Sequence, residues 1–62
     1  MKAKYKSPIL GDVVISTPLR NNGGVYHFTV ETKKDTYSIE LTLKSHRKAL
    51  EEAERIFLNG KN

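Results

Sequence analysis

Residues 45–60, SHRKALEEAERIFLNG, constrain this chain more than any other stretch. Ala49, Leu50, Ala53, Ile56 and Phe57 recur at helical spacing and fall in one stripe of a helical wheel, the apolar face of an amphipathic helix. Such a helix is stable mainly through what covers its stripe, so the rest of the chain must supply that surface. Ser45 is an N-cap whose hydroxyl can accept from an N–H of the first turn. Asn59 with Gly60 supplies a C-terminal stop in which Gly is able to take positive φ. On the outer side Lys48 with Glu52, and Glu51 with Arg55, stand four residues apart, a spacing that lets opposite charges meet. His46, Arg47 and Lys48 crowd the first turn, where the helix dipole favours acids by roughly 0.3–1 kcal/mol each. Either solvent and salt screen these charges, or the free N–H groups and the basic side chains together hold an anion such as phosphate.

Two alternating segments offer the covering surface. Residues 25–31 put Tyr26, Phe28 and Val30 on one face and His27, Thr29 and Glu31 on the other. Residues 36–43 put Tyr37, Ile39, Leu41 and Leu43 on one face and Ser38, Glu40 and Thr42 on the other. Residues 32–35, TKKD, make the polar turn between them, so the two strands pair antiparallel. An earlier β-branched run, residues 12–17, is bounded by Gly11 and Pro18 and reads as a short edge strand. After Arg20, the run Asn21, Asn22, Gly23 and Gly24 then provides the positive-φ residues of a tight reversal. The expected class is α+β: a three-stranded antiparallel β-sheet packed against one C-terminal α-helix, β-β-β-α. Its expected core is Ile15, Tyr26, Phe28, Val30, Ile39, Leu41, Leu43, Leu50, Ala53, Ile56 and Phe57. Residues 12–62 form that single small domain. Residues 1–11 are expected as a basic, mobile N-terminal arm, because MKAKYKS alternates Lys with small or aromatic residues and has too little apolar content to pack by itself.

A chain of 62 residues makes one domain at most and leaves no room for a deep pocket with several walls. There is no cysteine, so disulfides and thiolate chemistry are excluded and a reducing compartment is compatible. The longest apolar runs, such as residues 13–15, are far too short to cross a bilayer, and the lysine-rich start lacks the apolar segment of a signal peptide. A soluble, cytoplasmic protein without membrane attachment is expected. His27 and His46 are the only histidines, and no paired acids stand at ligand spacing. Gly23 and Gly24 lack the spacing, the following Lys and the following helix of a phosphate-binding loop. No catalytic, metal or cofactor site is therefore expected, no small-molecule substrate, and no enzyme; a binding or structural role remains.

The net charge of +4 favours a polyanionic partner. A short polar sheet face can enter the major groove, where His, Ser and Thr reach base edges, although Glu31 and Glu40 repel phosphates unless they accept from a cytosine amino group. The basic residues Lys33, Lys34, Lys44, His46, Arg47 and Lys48 cluster at a turn and at the helix start, positions suited to contacting backbone phosphates. The arrangement of a three-stranded sheet on a C-terminal helix, with the Arg20-Asn21-Asn22-Gly23 turn followed by Tyr26, a polar hairpin, and Ala49 and Ala53 on the helix, resembles the N-terminal arm-type DNA-binding domain of phage tyrosine recombinases (integrases) over residues 15–59. That resemblance implies a sheet lying in the major groove of duplex DNA, with contacts from Arg20, Asn21, His27 and Thr29 and with Lys2, Lys4 and Lys6 on phosphates. None of the recombinase catalytic machinery is present. The leading expectation is a small non-enzymatic DNA-binding module without cofactors. The alternative is a protein-interaction module, for instance a small phage-type regulatory inhibitor, binding a protein partner through a sheet edge or face, with Leu19 and Leu58 as candidate contacts. RNA binding is a third option, with Tyr5 as the one aromatic free to stack on a base.

Overall fold

The alternation of apolar and polar residues extends further towards the N-terminus than the apolar runs alone suggest. The computed structural model describes residues 2–17 and 23–60. Strands β1 (Lys2–Ser7), β2 (Gly11–Ser16), β3 (Tyr26–Glu31) and β4 (Thr36–Leu41) form one antiparallel sheet in the order β1-β2-β3-β4, followed by helix α1 (His46–Asn59). The α+β class and the C-terminal helix agree with the sequence, but the sheet has four strands and not three. The additional strand is the lysine-rich segment expected as an arm, and by pairing with β2 it makes that strand, expected at the edge, an inner one.

Its recruitment has a physical cause that apolar content does not show. β1 pairs with β2 along its whole length, from Lys2 opposite Ser16 to Ser7 opposite Gly11, which places Ala3, Tyr5 and Ser7 on the helix side and Lys2, Lys4 and Lys6 on the open side. The Ser7 hydroxyl accepts from the backbone N–H of Ile9 and of Leu10 at 3.1 and 2.9 Å, folding the turn into β2, and donates to Glu54 Oε2 of the helix at 2.6 Å. Gly11 closes the reversal with φ of 81°, a conformation that side-chain-bearing residues rarely adopt. Polar ties thus hold a strand whose inward residues are mostly small or polar.

The core consists of Val13, Ile15, Phe28, Val30, Ile39, Ala49 and Ala53, with Tyr5, Leu10, Tyr26, Tyr37, Leu41 and Leu50 packed around it. Leu43 and Ile56, expected inside, are 48% and 40% exposed. Leu43 is lost from the core because β4 ends at Leu41 and the chain bends at the next two residues, breaking the alternation. Ile56 flanks a buried stripe narrower than expected, centred on Ala49 and Ala53, whose small side chains let the helix backbone sit close to the sheet. The helix packs chiefly on β4 and β3, less on β2, so β1 lies farthest from its cover.

Ser45 caps the helix as expected, its side chain accepting from the Lys48 N–H at 3.2 Å. At the other end Gly60 keeps a right-handed φ of −79° and donates its N–H to the Ile56 carbonyl at 2.9 Å, so its access to positive φ is not used. The surface ion pairs form at three-residue and not four-residue spacing, Lys48 with Glu51 and Arg55 with Glu52. Glu52, through its hydrogen bond and then its charge, raises the Arg55 guanidinium above its ordinary value. Among the described residues no helix is long and apolar enough to cross a membrane.

Candidate nucleic-acid interface

Strand register decides which polar side chains share the face opposite the helix. Residues directly opposite one another in an antiparallel pair point to the same side, so the open face is built of cross-strand rows. Lys6 stands opposite Asp12. Lys4, Val14, Glu31 and Thr36 form the next row, and Lys2, Ser16, Thr29 and Ser38 the one after it. His27 faces Glu40, with Nδ1 and Oε2 3.5 Å apart and both side chains more than half exposed. Each carboxylate of this face therefore shares a row with a base, while the row from Lys2 to Ser38 carries one cation, three hydroxyls and no acid.

The expected site residues divide into separate groups. Lys2, Lys4, Lys6, His27 and Thr29 are exposed on the open face. Lys33 and Lys34 project from the β3–β4 turn, which Thr32 organises: its Oγ1 accepts from the N–H of Lys34 and of Asp35 and donates to the Asp35 carbonyl. Lys33 also joins Lys4 around a hollow of about 520 Å³ floored by Val13 and Val14, where β2 and β3 part beyond their three paired positions. Lys44 lies in the connection into the helix, and Arg47 and Lys48 are exposed on the helix layer, across the sheet from the lysines of β1. Arg20, Asn21 and Leu19 lie outside the described residues. Leu58 is 54% exposed on the last turn of the helix.

His46 does not join either basic group. Its ring lies against side chains on the helix-facing side of the sheet: Nδ1 is hydrogen-bonded to Tyr5 Oη at 2.8 Å and Nε2 to Thr17 Oγ1, and it meets both Tyr5 and Phe28 edge-on at centroid distances of 5.7 and 5.8 Å. The two hydroxyl partners can each donate or accept, so either neutral tautomer is satisfied. The first helical residue is thus a joint linking β1, the end of β2 and β3. By the same bond Tyr5 is half-buried and committed to His46, which corrects its assignment as a free stacking platform.

Ser16 was not among the candidate residues, although the alternation of β2 already puts it on the polar face with Ser38; what makes the two part of one row is the register. Among the described residues no group of three or more His, Cys, Asp or Glu could hold a metal ion. No protein-family model matches the chain, and neither a curated protein nor a solved structure does.

Proposed function

We propose that the chain is a non-enzymatic DNA-binding module that lays the open face of its sheet against duplex DNA, needs no cofactor, and uses Lys2, Lys4 and Lys6 on phosphates. One observation carries this: the β1–β2 register sets all three lysines on the face that also presents Ser16, Thr29 and Ser38. Three strand spacings of about 4.8 Å make the acid-free row about 14 Å long, comparable with a major groove about 12 Å wide. Hydroxyls can donate to or accept from base edges, and the lysines, fixed on a strand, meet phosphates with less ordering cost than a loose arm. This use of a sheet face is what the resemblance to the arm-type domains of phage integrases implies. The acids oppose it least where a cation already stands opposite, as Lys6 does to Asp12.

The same balance of charges favours a second function, recruitment of a protein partner through this face, since protein surfaces tolerate matched charges that a polyanion does not. Titration of the isotope-labelled domain with a short mixed-sequence duplex, at low and then physiological salt, separates the two. Expected are amide shifts at Lys2, Ser16, Thr29 and Ser38 that weaken steeply with salt. Absence of shifts at low salt overturns DNA binding and leaves the protein partner.

A further inference from the structure

We propose that β4 is a self-association edge: a second copy of the chain pairs its own β4 antiparallel to it, joining two sheets of four strands into one. Both outer strands end the sheet order, and among the described residues each pairs with one neighbour only. An edge of this kind is a template for another strand unless charge, proline or a bulge blunts it. β1 is blunted. In any antiparallel pairing of two β1 strands that keeps their faces matched, lysine meets lysine: with Lys4 opposite Lys4 of the second copy, Lys2 falls opposite Lys6 of the second copy. Like charges directly opposite are destabilising.

β4, TYSIEL, carries no proline or bulge and a single charge, Glu40. With Ser38 centred on the twofold axis, Thr36 stands opposite Glu40 of the second copy and Tyr37 opposite its Ile39. With Ile39 centred, Ser38 stands opposite Glu40 and Tyr37 opposite Leu41. Both registers place apolar against apolar on the helix side and hydroxyl against carboxylate on the open side, and neither opposes like charges. A strand whose side chains complement their own reversed sequence suits an isologous contact, which closes at two copies. Ile56 adds to it, since it remains 40% exposed and borders a groove of about 370 Å³ with Thr36 and Tyr37, where the helix of the second copy would cover it.

Sedimentation of the full chain over a rising concentration series tests this. Expected is a shift from the 7.1 kDa mass of one chain to twice that mass. Ser38→Lys combined with Glu40→Lys sets like charges opposite in either register and is expected to raise the dissociation constant about a hundredfold or more, with the circular dichroism unchanged. Replacing Lys2, Lys4 and Lys6 by Ser is expected to leave the dimer intact. Isotope-filtered contacts between labelled and unlabelled wild-type copies give a readout free of variants and are expected across β4. A chain that stays monomeric at spectroscopic concentrations, a dimer that survives the double substitution, or intermolecular contacts from β1 would each overturn the proposal.

Discussion

The two outer strands have the same length and the same alternation, yet they are held by different forces. β4 turns Tyr37, Ile39 and Leu41 towards the helix, and Ile39 is only 4% exposed. Burial of apolar surface fixes it. β1 turns Ala3, Tyr5 and Ser7 inward and is fixed by a tyrosine on His46 and a serine on Glu54. The difference teaches that a strand poor in apolar residues joins a small sheet when a few polar groups find partners that the fold has already put in place. Apolar burial is non-directional and tolerates displacement, whereas hydrogen bonds depend on distance and angle. β1 should therefore be sensitive to single atoms and β4 to volume.

The largest effect is expected at β4. Ile39→Ala should cost about 2–5 kcal/mol, comparable with the whole stability of about 3–5 kcal/mol expected for a single core of this size. Loss of the cooperative thermal transition, followed by circular dichroism, is the expected outcome; a wild-type melt would mean that burial does not anchor β4. His46→Ala comes next, at about 2–3 kcal/mol, because it strips Tyr5 and Thr17 of a partner and empties the space against Phe28. Hydrogen exchange should accelerate more in β1 than in β4, and equal acceleration would break the comparison. Ser7→Ala should cost about 1–2 kcal/mol in urea unfolding by releasing Glu54 and the two turn amides. Glu54→Gln, which keeps an acceptor for Ser7, should stay near wild type and so sharpen the assignment. The smallest stability change, within about 0.5 kcal/mol, is expected when Lys2, Lys4 and Lys6 are replaced by Ser on the open face. In the DNA titration the same variant should lose affinity, with its salt dependence shallower by about 0.9 for each phosphate contact removed.

Where the apolar pattern is local and strong, the sequence already contains the element. The helix and its Ser45 cap, the two alternating strands of the β3–β4 hairpin and the β-branched strand before them, though not its place inside the sheet, follow from spacing alone, because neighbours along the chain set the periodicity. β1 was not legible in this way. Its inward residues supply little apolar area, and the groups that hold it lie 41 and 47 residues further on, at His46 and Glu54. His46 illustrates the same limit from the other side: beside Arg47 and Lys48 it looks like a third surface cation, and only its insertion between Tyr5 and Phe28 shows an interior role.

The candidate interface divides along the same line. Alternation in β3 and β4 suffices to put His27, Thr29 and Ser38 on a polar face. That Lys2 and Ser16 extend that face into a row without acid depends on the register of strands joined by turns, and a shift of one residue would send every side chain to the other side. The sequence by itself determined the helix, the three apolar strands and the excess of positive charge, because these follow from residue type and short-range spacing. The tertiary structure alone decided that the lysine-rich segment is a strand, that its charges share a face with the hydroxyls, and that the basic helix start lies on the opposite layer, because hydrogen bonds and register across more than forty residues are properties of the folded chain and not of any stretch within it.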